Sequence, residues 1–330
     1  MPLACTTPTG RPAARSVETV AARLPPERYL SAAGMGDTRE TAERSAAGNL
    51  AKIFRARITV EDRMIERSHE LLGDKRNALT VETDLTKNVS IESGLTLYNV
   101  RYTEPAADGT GRLTVTAYMD RRETAQVYLA RLRAGDARVR GFVERAGASA
   151  DPARQFAYLN AASAVSAVNR AMLEQLTVIA GGESPPFTPW ISPDEVVRRT
   201  AEAAAAVRCA VAVEGEPRIA AILQETLTGL GFTIGAPAVL KVGAKVVIEP
   251  TDLGRTDAVF VRYDAALRVT DAGGSEILTV TEKGREGHVS AAEARARAIR
   301  ALGDGIRAGF RDRLIAYFDA MALGGNRTKD

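Results

Sequence analysis

The residues able to carry chemistry in this chain of 330 residues are few and widely spaced. There are two histidines, His69 and His288, and two cysteines, Cys5 and Cys209. A zinc site needs three or four His, Cys or carboxylate ligands at short spacings. Neither histidine has such neighbours, so the sequence predicts no metal site. Cys209 lies in the apolar run VRCAVAVEG and reads as a small buried core residue. Gly34-Met35-Gly36 continues into Asp37, Thr38 and Arg39. The third glycine of a dinucleotide fingerprint is missing, so the pair is assigned to a strand-to-helix turn. There is no Gly-Lys-Ser/Thr phosphate loop and no Gly-x-Ser-x-Gly nucleophile elbow. Asp62, Glu66 and Glu70 fall at helical spacing and read as a solvated face. Arg121-Arg122 has the charge to meet a phosphate, but two arginines at a helix start read more simply as exposed. The expectation is a protein with no catalytic residues, no cofactor and no metal.

Composition narrows the classes further. Hydrophobic residues make up 45% and charged residues 26%, enough for two domains with real cores. A net charge of +3, evenly spread, argues against a nucleic-acid partner. Aromatic residues, at 5%, are too sparse to suggest a sugar-binding cleft. Two cysteines cannot make a disulfide framework. No stretch approaches the roughly 18 apolar residues of a spanning helix.

The elements that would position any site follow from periodicity. Residues 1–26 lack it and are expected to form a disordered tether. "ERYLSAAG" reads as a strand ending at Gly34. Asp37 with Glu40 reads as a helix-capping pair. Ala42, Ala46, Leu50, Ile53 and Phe54 then share one helical face. From Arg55 the period switches to two, with Ala56, Ile58 and Val60 on one side. Residues 63–90 are polar and ambiguous. "LTLYNVRYT" and "LTVTAYMD" alternate around Asp108-Gly109 and predict a hairpin. The exposed strands of this unit are able to add to a neighbour's sheet.

Residues 121–180 read as a helical hairpin broken between Gly147 and Pro152. Leu129, Leu132, Val139, Phe142 and Val143 line its first helix. Phe156, Leu159, Ala162, Val165, Val168, Met172 and Leu176 line its second. A Pro-rich linker and helix occupy 181–206, with Trp190 expected to pack on the domain that follows. Residues 207–330 read as a second α/β domain: strand, a helix with Ile219, Ile222, Leu223, Leu227 and Leu230 inward, further strands, and a long amphipathic helix. Ser290 to Glu293 reads as its capping box. A small repeat emerges, since Ala42, Ala46 and Leu50 recur in spacing as Ala294, Ala298 and Leu302. It fits related packing units and convergence on one helix-on-sheet solution equally well. The fold class is α+β: an N-terminal strand-helix-antiparallel-sheet domain over 27–120, the central hairpin, and the C-terminal α/β domain.

Two resemblances bear on function. Leu3-Ala4-Cys5, followed by a Thr/Pro/Gly/Ala tail, resembles the end of a bacterial lipoprotein signal with its mature linker. Four residues precede Cys5, with no basic or apolar segment among them, and these residues alone leave open an ordinary tail cysteine. The second is broader. "YLSAAGMGDTRETAERSAAGNLAKIFRARI", "LTLYNVRY" and "LTVTAYMDRRETAQVYLAR" together resemble the Lpp-twenty family of bacterial outer-membrane lipoproteins, over residues 27–130. That resemblance implies a strand-helix-strand-strand fold similar to the N-terminal domain of the flagellar H-ring protein. It also implies an envelope address and no established catalysis, and it leaves a link to a flagellum or other surface structure open. The family's lipid-bearing cysteine carries over only onto Cys5. Thr6 after it favours the outer membrane over inner-membrane retention. Residues 207–330 more loosely resemble α/β modules of envelope assembly lipoproteins.

The expected function is therefore a lipid-anchored outer-membrane lipoprotein with a structural or assembly role. Its expected partners are the membrane, through the N-terminal lipid, and either envelope proteins or further copies of itself. The alternative is a periplasmic or cytoplasmic module holding a small ligand or peptide between the second domain's helices and sheet.

Overall fold

The computed structural model describes residues 24–55, 67–68, 70–72, 87–91, 95–107, 110–183, 186–252, 254 and 258–324. Cys5, Asp62, Glu66, His69, the Asp108-Gly109 loop and the period-two stretch 56–61 lie outside them, as does nearly all of the tether over 1–26. The order is β1 (Tyr29–Gly36), α1 (Arg39–Arg55), β2 (Lys87–Ile91), β3 (Leu95–Tyr102), β4 (Ala106–Ala107), β5 (Leu113–Asp120), α2 (Arg121–Ala148) and α3 (Pro152–Ile179). Then come α4 (Pro193–Ala206), β6 (Arg208–Glu214), α5 (Pro217–Gly229), β7 (Thr233–Ile234), β8 (Leu240–Thr251), β9 (Val259–Asp271), β10 (Glu276–His288) and α6 (Ala291–Ala322). The fold is α+β, as the patterns indicate. The chain divides into two compact units, Met1–Ala137 with Val165–Pro189, and Arg138–Ala164 with Trp190–Asp330. Both α2 and α3 contribute residues to each unit.

In the first unit the strands run in the order β1-β5-β3-β2, with β4 pairing β5. β1 and β5 pair antiparallel over their whole lengths, Tyr29 opposite Asp120 and Gly36 opposite Leu113. β2 falls within the stretch whose polar sequence gave no pattern. α1 lies on β1 and β5. Ala42, Ala46, Leu50 and Phe54 are fully buried on its inner face, while Ile53 is 40% exposed, against expectation. Burying one such large side chain stabilises by about 1.5–3 kcal/mol. The glycines depart from expectation as well. Gly34 and Gly36 belong to β1, and what they permit is the approach of the α1 backbone, not a turn. The helix cap is also displaced by one residue. Thr38 and Thr41 form a reciprocal box: the Thr41 amide donates to Thr38 Oγ1 at 3.2 Å, and the Thr38 amide to Thr41 Oγ1 at 3.0 Å. Glu40 instead pairs with Arg44, one turn on.

The core of this unit joins α1 and the sheet to the near parts of α2 and α3. Leu97, Val100, Met119, Tyr128, Leu132, Leu176 and Ile179 are among its buried members. Tyr98 meets Tyr128 edge to face at 5.5 Å and lies 4.0 Å beneath the Arg131 guanidinium. Asn99 takes a left-handed conformation (φ 62°) where β2–β3 pairing is irregular, and its Nδ2 donates to Thr124 Oγ1.

In the second unit the sheet order is β10-β9-β8-β6-β7. β6 is parallel to β7 and β8, while β8, β9 and β10 are antiparallel. α5 packs on β6 and α6 on β9 and β10. The buried stripe of α6 includes Ala294, Ala298, Leu302, Ile306, Phe310, Leu314 and Phe318. The glycines of β10 make room for aromatic rings: Gly284 faces Tyr263 and Gly287 faces Phe260 across the β9–β10 pair. Phe156, Phe232 and Phe318 form a mutual edge-to-face cluster. Ser290 does cap α6 by position, but its hydroxyl makes no capping bond. Its amide donates to His288 Nδ1, and Glu293 is drawn away by Arg300 and Arg297. Trp190 is 45% exposed, with the Arg140 guanidinium 5.3 Å from its ring.

Candidate functional site

The first unit contains an open cleft of about 550 Å³ lined by Glu27, Arg28, Asp120, Arg121, Arg122 and Glu123. It forms where β5 passes directly into α2. Asp120 is the N-cap of that helix: its Oδ1 accepts from the amides of Arg122 (3.0 Å) and Glu123 (3.1 Å). Its Oδ2 accepts from Arg28 Nε at 3.0 Å. The Asp120 side chain is only 12% exposed. Burial pushes its carboxyl up, but the Glu123 amide and the Arg28 guanidinium outweigh that and hold it below the usual carboxylate range.

Arg121 points the other way along the chain. Its Nε donates to the Pro26 carbonyl at 2.9 Å, and its Nη1 to the carbonyls of Val178 (3.1 Å) and Ile179 (2.8 Å). The latter two belong to the last turn of α3, whose carbonyls have no partner within the helix and carry the negative end of its dipole. One guanidinium thus caps α3 and fastens the chain entering β1. The Arg121 amide also donates to the Arg28 carbonyl, extending the β1–β5 ladder by a step. Arg28 lies 5.1 Å over the Tyr29 ring, which meets Tyr118 edge to face at 5.9 Å.

Chemically this is a clamp. The Asp120 oxygens are taken up by two amides and a guanidinium, and Arg121 is committed to three carbonyls. It gathers three stretches distant in sequence: the entry to β1, the start of α2 and the end of α3. The second unit has a comparable tie in Glu216, whose side chain is 9% exposed and bonded to Arg295, which also reaches the Ile248 carbonyl.

Of the sequence candidates among the described residues, only Arg121 and Arg122 reach the cleft. Arg122 is exposed, whereas Arg121 is not the exposed cation the sequence suggested. Cys209 is fully buried and its thiol is pushed up to about 12 by burial. His288 sits at the end of β10 beside Ser290. Glu70 is exposed. Among the described residues no group of three or more His, Cys, Asp or Glu is placed to hold a metal ion. Among them, too, no helix is long and apolar enough to cross a membrane. Sequence reasoning missed Asp120 and Arg28. The available signal was Asp120-Arg121-Arg122-Glu123, an acidic cap with a glutamate three residues on.

No family model matches the chain. No curated protein matches it either. Solved structures similar in part include a secreted protein, HP1454, from Helicobacter pylori (TM-score 0.43, 11% identity, 88% of this chain and 98% of that one). A minor lipoprotein from Acinetobacter baumannii gives TM-score 0.23 at 12% identity, over 36% of this chain and 92% of that one. A candidate lipoprotein from Caulobacter crescentus CB15 gives 0.23 at 23% identity, over 39% and 98%. With TM-scores below 0.5, these likenesses assign neither fold nor function.

Proposed function

We propose that the protein is a lipid-anchored lipoprotein of the bacterial outer membrane, with a structural or assembly role and no catalysis of its own. The observation that carries this reading is Leu3-Ala4-Cys5, a lipidation-type sequence placed before a Thr/Pro/Gly/Ala-rich stretch that leads to the clamp. The chain enters β1 at Pro25–Tyr29, where Arg121 holds the Pro26 carbonyl and Asp120 holds Arg28. Tension on a tether would pass there into α2 and α3, not into a single strand. The resemblance of residues 27–130 to the Lpp-twenty family and the identity of Thr6 support the outer-membrane address. A single acyl chain binds membranes only marginally, so stable anchoring requires more than one on Cys5. Mass spectrometry of the N-terminal peptide from native cells tests the proposal. Acyl mass on Cys5, with the protein in the outer-membrane fraction, is the expected result. An unmodified Cys5 on protein recovered from the soluble fraction would refute it.

A further inference from the structure

The sheet of the second unit has two unlike faces. α5 and α6 pack on one of them, where Val242 and Val246 of β8, Ala265 and Leu267 of β9 and Val280 of β10 are buried. Side chains alternate along a strand, so the residues between these stand on the opposite face. That face is open to solvent. The side chains of Arg262, Arg268 and Lys283 are 63%, 72% and 65% exposed, and Lys241 and Lys245 are exposed as well.

The charge on the open face is one-sided. Three of its carboxylates each have a cation beside them: Glu249 has Arg262 at 3.1 Å, Asp264 has Lys283 at 2.8 Å and Glu276 has Arg268 at 3.7 Å. Outside these pairs stand four exposed cations, Arg208, Lys241, Lys245 and Arg285, and one exposed carboxylate, Glu214. The excess of three positive charges equals the net charge of the whole chain, +3. A charge spread evenly along the sequence is thus gathered on one surface by the fold.

The shape of the face suits a flat partner. Gly243 lies between Lys241 and Lys245 on β8, with Ala212 opposite it on β6 and Arg268 opposite it on β9. Ala210 stands opposite Lys241, and Ala266 opposite Lys245. These short residues make a level floor from which the long cationic stems project. Along Lys241–Glu249 the facing positions of β6 and β9 place no aromatic ring on this side, so the bases of a nucleic acid would find no stacking platform. Cations spread over β6, β8 and β10 match a surface of repeated anions.

We propose that this face lies against the anionic phospholipid headgroups of a membrane, with Arg208, Lys241, Lys245 and Arg285 over the phosphates. The proposal rests on the lipoprotein reading above only for the nearness of a membrane. Each cation within a Debye length of an anionic surface strengthens binding about fivefold. An excess of three holds a tethered domain down and releases a free one as salt rises.

Co-sedimentation of the full-length, unlipidated Cys5→Ser chain with vesicles tests it. Binding is expected to phosphatidylcholine vesicles containing about 30% phosphatidylglycerol in about 50 mM salt, and not to phosphatidylcholine alone or in about 500 mM salt. Lys241→Gln with Lys245→Gln should lower the partition about twentyfold, with circular dichroism and melting temperature unchanged. Arg285→Gln, on a different strand, should lower it about fivefold, which covers the case that the β8 variant misfolds. Arg311→Gln with Arg313→Gln removes two exposed charges from α6, the helix on the other side of the sheet, and should lower it less than about threefold. Absence of binding to the anionic vesicles overturns the proposal, as does an equal loss from the β8 and α6 pairs, which would show a response to net charge alone. Retention on immobilised polyglutamate without binding to vesicles also overturns it and assigns the face to an acidic protein. The readout is independent of the acyl mass on Cys5, so this proposal and the anchored reading can fail separately.

Discussion

Gly34 lies against α1 so closely that a Cβ there would stand 2.0 Å from the amide nitrogen of Ala46. The obstacle is backbone, and no side chain can swing aside to relieve it. Gly34→Ala must therefore push α1 off β1, opening contacts around the fully buried Ala46 and Leu50. A loss of about 3 kcal/mol is expected, at the upper end for overpacking. Urea denaturation measures it. A loss below about 1 kcal/mol would mean that the helix is not held against the strand as described.

Arg121 should matter far more than its neighbour. Arg121→Ala removes a charged donor from the last turn of α3 and from Pro26; Val178 keeps the Gly181 amide, but the Pro26 and Ile179 carbonyls lose this donor. The expected cost is about 2 kcal/mol. Arg122→Ala removes an exposed side chain from the same helix turn and should cost under about 0.5 kcal/mol. Equal costs would show that the three carbonyl contacts contribute nothing.

The contrast between these residues shows what is legible in a sequence. The inner faces of α1 and α6 are, because small residues repeating every four positions leave little choice of what is buried; Ala42, Ala46 and Leu50, and Ala294, Ala298 and Leu302, are all fully buried. The role of Gly34 is not. A glycine signals an unusual backbone angle or a close approach, and only the residue packed on it, twelve positions later, decides which. The cap of α1 falls at Thr38 and not at Asp37, because the two are adjacent and both are good N-caps. The role of Arg121 is not legible either, because its acceptors lie 57, 58 and 95 positions away. Asp120 was hidden for the same reason, its guanidinium partner being 92 residues distant.

Asp120 should shape the acid limb of stability. Its carboxyl titrates lower in the folded chain than in the unfolded one, where about 3.9 applies. A depressed folded value contributes stability that is present above the unfolded value and is lost as pH falls through the folded one. The loss should therefore begin near pH 4 and continue downward. Asp120→Asn keeps a capping oxygen but removes the charge. It should be less stable at pH 7 and lose less on acidification. Urea midpoints at several pH values report this, and parallel curves for the two proteins would count against the Arg28–Asp120 pair.

Cys209 should be silent in the native state. It is fully buried in β6, and its thiol, held up at about 12 by burial, stays protonated at neutral and mildly alkaline pH. In a Cys5→Ser background, an aromatic disulfide reagent at pH 8 should leave the folded protein unlabelled and react within seconds in concentrated urea. The labelling rate then follows opening of the β6 region. Prompt labelling without denaturant would place this strand outside the core.

Gly303 tests the same packing logic in the second unit, with a different expected size. A Cβ there would come within 2.6 Å of Ile222 Cδ1, the end atom of a side chain on α5. Ile222 is half-buried and can change rotamer, so the strain is relieved by moving one methyl group. Alanine also favours the helix by up to about 1 kcal/mol over glycine in the interior of α6. The two effects oppose each other, and Gly303→Ala should change stability by less than about 1 kcal/mol in either direction. Both distances, 2.0 Å at Gly34 and 2.6 Å at Gly303, are shorter than real Cβ contacts. The nature of the struck atom separates them, backbone at Gly34 and a rotatable methyl at Gly303. Thermal denaturation of both variants should therefore show Gly34→Ala as clearly the more damaging, and the reverse order would contradict the helix-on-sheet packing assigned to one unit or the other.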